Sequence, residues 1–177
     1  MRECVGDIWD FKRYGWIVVP ITWTPEASGR ATMDTGTAAQ ACAHYPSIPY
    51  IAHALISEEY GTPRLVAIHK NGGGVILFPT KLHRRQKASL ELIETGLRAL
   101  VQLPITGNIY LPLLGCGYGL LREKRVLPLM QQHLDRDRFI LVRRSEDVVS
   151  KYPTAFRTTR AKHNPGGAVD RSVWDAR

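Results

Sequence analysis

Leu111-Pro112-Leu113-Leu114-Gly115-Cys116-Gly117-Tyr118-Gly119 is the stretch that decides the reading of this chain. Its apolar start continues Asn108–Pro112, which reads as a buried strand, and a helix is expected from about Glu123 to Leu134. Three glycines therefore lie between a strand and a helix. Without Cβ atoms there, backbone N–H groups can close on an anion, and a helix N-terminus adds partial positive charge. A diphosphate suits such a loop, and a tight structural turn accounts for it as well. The spacing is neither GxGxxG nor a P-loop, because no Gly-Lys-Ser/Thr follows.

Outward from this loop, strands and helices alternate. Trp16–Thr22 (WIVVPIT) is apolar and rich in β-branched residues, as a strand covered on both faces should be. A long Thr-, Pro-, Ser- and Gly-bearing loop, Trp23–Thr35, leads to Gly36–Ala43 (GTAAQACA), a small-residue helix suited to close packing on a sheet. Leu65–His69 and Val75–Phe78 flank Lys70-Asn71-Gly72-Gly73-Gly74, a hairpin signal because Asn-Gly and Gly-Gly tolerate positive φ. Between Ser89 and Leu103, residues Leu90, Ile93, Leu97, Leu100 and Val101 form one helical stripe. Phe139–Arg143 is the last core strand. This alternation predicts an α/β layered fold over residues 1–152. Residues 153–177 mix Thr, Arg, Pro, Gly and Asp with few apolar anchors, and they predict a flexible basic tail that Trp174 could pin down.

The 177 residues suffice for one full-sized core. A content of 44% hydrophobic and 23% charged residues is that of a soluble globular protein. No segment reaches the roughly 18 consecutive apolar residues of a membrane span, and the N-terminus lacks a secretory pattern. Cys4, Cys42 and Cys116 form no CxxC pair, so reduced thiols and a cytoplasmic location are expected. The 24 Lys+Arg against 16 Asp+Glu give a net charge of +8. Such a field attracts polyanions, nucleic acid first among them, although a solvated face with no partner produces the same composition. The excess is concentrated in Lys81–Lys87 (KLHRRQK), Arg122–Arg125 and Arg157–Lys162.

Other candidate residues are individually ambiguous. Asp7, in Gly6-Asp7-Ile8, can accept a hydrogen bond from an exocyclic amine or act as a turn or helix cap. Lys81, in Leu77-Phe78-Pro79-Thr80-Lys81, ends a buried strand, the place where α/β folds bind ligands. There it can serve as nucleophile or base, or simply open the solvated basic run. The six histidines show no ligand spacing, so neither a metal nor a cofactor is expected. No GxSxG elbow is present, and Cys116 sits in no pattern that names a base for it.

Taken together, GDI near the start, a glycine-bearing loop before a small-residue helix, Thr-Lys at a strand end and LPLLGCGYG resemble the macro domain superfamily. Phe78-Pro79-Thr80-Lys81-Leu82-His83, continuing through Lys87, Leu90-Glu91, Ile93-Glu94 and Gly96-Leu97, is similar to the branch of the DarG-type antitoxins. That branch removes ADP-ribose from DNA bases; the terminal ADP-ribose protein glycohydrolases share its Thr-Lys. The resemblance covers roughly Cys4 to Arg143. It implies a three-layer α/β/α fold with a mixed, mostly parallel sheet, and ADP-ribose or an ADP-ribosylated substrate as ligand. Asp7, with Ile8 beside it, would contact the adenine amine. Thr22 would end the strand that leads to the first ligand loop, formed by Met33, Gly36 and Ala38. Leu114, Gly115, Cys116, Gly117, Tyr118 and Gly119 would wrap the diphosphate and distal ribose. Lys81, preceded by Thr80, matches the catalytic lysine, which acts at the anomeric carbon of the distal ribose.

Several positions depart from that pattern. Thr22 stands where an asparagine is common, which disfavours a phosphatase acting on ADP-ribose 1″-phosphate. Asp34 and Thr35 replace a usual Gly and Lys, the segment Pro25–Arg30 is longer, Arg84 replaces a common Trp, and Gly119 replaces an acid. The expectation is a monomeric ADP-ribosyl glycohydrolase acting on modified nucleic acid, a DNA base foremost. The rival is a module that binds ADP-ribose or a related nucleotide without turnover.

Overall fold

The computed structural model describes residues 1–58, 63–70 and 73–144. The expected tail and Trp174 lie outside these, as do the turn residues Asn71 and Gly72.

Six strands form one sheet: β1 Arg2–Val5, β2 Gly15–Thr22, β3 Val66–Lys70, β4 Gly73–Lys81, β5 Asn108–Leu111 and β6 Phe139–Arg143. Their order is β1-β6-β5-β2-β4-β3, and every neighbouring pair is parallel except β3 with β4. Four helices accompany them: α1 Gly36–His44, α2 Ile48–Glu58, α3 Leu90–Gln102 and α4 Glu123–His133. The sheet is thus mixed and mostly parallel, as expected. Lys70 pairs opposite Gly73, which leaves two residues for the hairpin connection.

Alternation along the strands divides the core into two layers. From β2, Ile17, Val19 and Ile21 join Ala38, Ala41, Ile48, Ala52 and Ile56 of α1 and α2. Trp16 and Val18 point the other way, to Ile93, Leu97 and Leu100 of α3 and Val126 and Met130 of α4. Being covered on both sides explains why β2 reads as an unbroken apolar run rather than an alternating one.

Helix α3 follows its sequence stripe, with Ile93, Gly96, Leu97 and Leu100 buried. Gly96 is required by contact: a Cβ there would lie 2.4 Å from the Phe78 ring. The helix starts at Ser89, whose side chain accepts a hydrogen bond from Leu92 N at 3.2 Å. Ser89→Ala removes this cap and should cost about 1 kcal/mol, read as a lowered urea midpoint with unchanged slope.

Candidate functional site

Five of the six strands run in the same direction, so β1, β6, β5, β2 and β4 end along one edge of the sheet. The chain leaving those ends carries nearly every residue singled out from the sequence. The order along the edge places the segment after β1 at one extreme and Lys81 of β4 at the other, with the loop after β5 and Thr22 of β2 between them.

Asp7 is exposed, and its carboxylate accepts a hydrogen bond from Trp9 N at 2.9 Å, capping a short 3₁₀ helix, Ile8–Phe11. The capping role is therefore real, and it leaves the second carboxylate oxygen for another donor. Ile8 is buried beside it.

Thr22 and Lys81 are register partners where β2 and β4 become irregular. Thr22 and Thr80 are the two buried polar residues among those described. Thr80 Oγ1 donates to Ile21 O at 3.4 Å, and Trp23 N donates to Lys81 O at 2.8 Å, so both strands are tied at their tips. Lys81 is half-buried, and its Nζ donates to Arg84 O at 3.2 Å.

The first loop arrives beside this lysine. Met33 and Ala38 are buried and anchor it, and Gly36 opens α1 with φ +56°. The N-cap residue Thr35 makes no side-chain cap bond. The first N–H groups of α1 therefore have no capping oxygen from their own N-cap, the usual arrangement at an anion site.

The second loop confronts it. Gly115 has φ +68°, conformationally open to glycine alone without strain, and a Cβ there would meet Ala88 Cβ at 2.9 Å. Leu114 is fully buried and pins the loop, whereas Gly117 and Tyr118 are exposed. A Cβ on Gly117 would meet nothing, and one on Gly36 would lie 3.9 Å from Tyr118 Cδ2. The start of α1 at Gly36 thus lies next to Tyr118 of the second loop. Cys116 Sγ lies 3.5 Å from Leu114 O, and none of the three cysteines is in a disulfide. Burial pushes the Cys4 and Cys42 thiols up, so neither favours the thiolate.

Two features of the site were not legible in the sequence. Asp34 of the first loop forms an ion pair with Arg84, three residues beyond Lys81. The charge of the Asp34 carboxylate is thereby balanced by the Arg84 guanidinium. The other feature is a pocket of about 310 Å³ flanking the Lys81 strand end, lined by Trp23, Pro63, Leu82, His83, Glu91 and Leu92 among others. Trp23 is buried and its Nε1 has no hydrogen-bond partner. The lining residues come from four separate stretches of chain, so no local motif announces the pocket. Among the described residues no group of His, Cys, Asp and Glu could hold a metal ion, and no helix is long and apolar enough to cross a membrane.

Known structures share this architecture. The chain is similar to DarTG of Thermosipho africanus in complex with ADP-ribose, with 22% identity and a TM-score of 0.66, covering 82% of this chain and 42% of that one. It is likewise similar to the macrodomain of Mycobacterium tuberculosis DarG (24% identity, TM-score 0.65, covering 80% of this chain and 95% of that one). The macrodomain of Thermus aquaticus DarG matches at 23% identity and a TM-score of 0.67, with 80% and 95% covered. No family model and no curated protein matches the sequence. The chain spans about two fifths of the Thermosipho protein and nearly all of the two isolated macrodomains. Its fold is the macrodomain fold.

Proposed function

We propose that this protein binds ADP-ribose along the C-terminal edge of its sheet and removes it from a modified nucleic acid, with Lys81 as the catalytic residue. The observation that carries the reading is the glycine loop 115–119, whose Tyr118 lies next to Gly36 at the start of α1, while Asp34 just before that helix pairs with Arg84, three residues beyond Lys81. Backbone N–H groups of a glycine loop and of an uncapped helix start suit a diphosphate, whose charge they stabilise without reorganising. An ADP-ribose laid along the edge would set its adenine near Asp7, its diphosphate between the loops and its distal ribose near Lys81. The solved complex of the Thermosipho protein with ADP-ribose supports the ligand.

In this reading Lys81 acts at the anomeric carbon of the distal ribose. The bond from that carbon to the modified base breaks, and water supplies a hydroxyl to the carbon and a proton to the base. The pocket lined by Trp23, Leu82 and His83, beside the end of β4, offers room for a released group. Gly119 stands where the protein-directed glycohydrolases carry an acid, and that absence, with the altered first loop, supports the rival reading of a module that binds ADP-ribose without turnover. The positive charge of +8 is consistent with a nucleic-acid target.

Titration calorimetry with ADP-ribose tests the binding claim. Arg84→Ala should weaken ADP-ribose by several-fold, because it leaves the Asp34 carboxylate without its cation beside the diphosphate. Asp34→Asn in the same background should restore the affinity. Equal affinity in all three proteins would mean that the pair faces away from the ligand. The absence of binding by the wild type would overturn the ADP-ribose reading itself.

A further inference from the structure

Hydrogen bonds at the end of β4 decide how the His83 ring is protonated. Lys81 Nζ donates to Arg84 O at 3.2 Å, which wraps residues 81–84 into a small loop with His83 inside it. Thr24, two residues beyond β2, meets this loop through its hydroxyl. Thr24 Oγ1 donates to Leu82 O and lies 3.2 Å from His83 Nδ1. A hydroxyl has one proton, and a carbonyl oxygen can only accept. The Thr24 proton therefore goes to Leu82 O, and toward His83 the hydroxyl is an acceptor. Nδ1 carries the ring hydrogen, which leaves Nε2 as the nitrogen where a proton is gained and lost.

His83 lines the pocket beside β4 together with Trp23 and Glu91. Trp23 is 2% exposed, and its Nε1–H has no hydrogen-bond partner among the described residues. A buried donor left unpaired is costly, and a phenyl ring would fill the same core without that cost. The pocket, at about 310 Å³, is far larger than one water requires. It thus joins a donor that lacks an acceptor to an imidazole whose outer nitrogen can take or give a proton. The acids nearby do not compete for that role. Asp34 is paired with Arg84, and no bond among the described residues fixes the exposed Glu91.

We infer that His83 is a second catalytic residue, which carries the proton at Nε2 between water and the departing base, and that Thr24 is its positioning residue. The inference rests on the reading of this protein as one that removes ADP-ribose. As the bond to the anomeric carbon breaks, its electron pair leaves with the base, which takes the proton from Nε2. Water then enters the same pocket, its oxygen accepting a hydrogen bond from Trp23 Nε1. That oxygen bonds to the anomeric carbon, and the proton it loses returns to Nε2, which restores the starting state. One side chain can serve as acid and then as base when departure and entry use the same face of the sugar. Lys81 acts on the sugar and His83 on the proton, so neither replaces the other.

The test measures single-turnover release of ADP-ribose from thymidine-ADP-ribosylated single-stranded DNA, beside calorimetric affinity for free ADP-ribose. His83→Asn keeps an N–H for Thr24 but has no Nε2, and it should slow release by ~10²-fold with the affinity unchanged. His83→Gly should be as slow and should regain rate when imidazole is added, a response that a merely structural residue would not give. Thr24→Val should slow release by up to ~10-fold, the tautomer bias that one hydrogen bond supplies, and Thr24→Ser should restore it. Release by His83→Asn at the wild-type rate, or a slow His83→Gly that imidazole does not quicken, would overturn the proposal. A wild type that binds ADP-ribose but leaves the modified strand intact counts instead against removal itself, and the inference falls with it.

Discussion

Lys81→Ala should slow release of ADP-ribose from a modified strand by ~10³-fold, within the range for removal of a positioned acid–base group, and leave the affinity for free ADP-ribose unchanged. The separation follows from where the residue sits. Lys81 ends β4, and its backbone is fixed by Trp23 N and by the pairing with Thr22, neither of which needs the side chain. Its Nζ holds only the Arg84 carbonyl at 3.2 Å, an exposed contact whose loss costs the fold little. In the proposed reading the diphosphate is held by the glycine loop and the start of α1, which the substitution does not touch. Lys81→Arg is the sharper variant. Arginine keeps the positive charge but cannot give up its proton, so it rescues a purely electrostatic role and fails where a free amine must act. Single-turnover rates measured beside calorimetric affinities read both effects. Equal loss of rate and affinity would make Lys81 a binding residue.

Gly15→Ala should cost about 3 kcal/mol of stability, for overpacking that no rotamer can relieve. A Cβ at Gly15 would stand 2.2 Å from Asn108 O and 3.0 Å from Asn108 C. Both are backbone atoms of β5, the strand paired with the first residues of β2, so the clash cannot be absorbed by a flexible side-chain end. The strands must part at Gly15–Asn108, the first of their three register pairs. Thermal unfolding checks the expectation, with a midpoint lowered by ~9 °C at roughly 3 °C per kcal/mol for a chain of this size. A midpoint within a degree of the wild type would show that β5 shifts freely and that the sheet is looser than its contacts imply.

Much of the fold was readable because the core is periodic. Trp16–Thr22 announced β2, whose observed span adds Gly15, and Phe139–Arg143 coincides with β6. The stripe Leu90, Ile93, Leu97, Leu100 and Val101 gave α3 because apolar residues at helical spacing have one face to bury. Helix α2 escaped notice. Its sequence IPYIAHALISE carries a proline and three β-branched isoleucines, all of low helix propensity. Pro49 lies in the first turn, where its missing N–H is harmless, and Ile48, Ala52 and Ile56 still recur at intervals of four on the buried side. The strand-end residues of the site were legible for a similar reason: Lys81 and the glycine loop follow directly on apolar runs. The Asp34–Arg84 pair was not, because it joins two exposed loops that no periodicity relates. Leu120, at φ +58°, was equally silent, since positive φ is a property of the folded loop and leucine gives no sign of it.

The most direct test of the central claim is to incubate the wild-type protein with thymidine-ADP-ribosylated single-stranded DNA and follow both species by mass spectrometry. Free ADP-ribose appearing together with the unmodified strand is the predicted result. A modified strand that stays intact while the protein binds ADP-ribose in calorimetry would contradict removal, and would make the protein a reader of the modification.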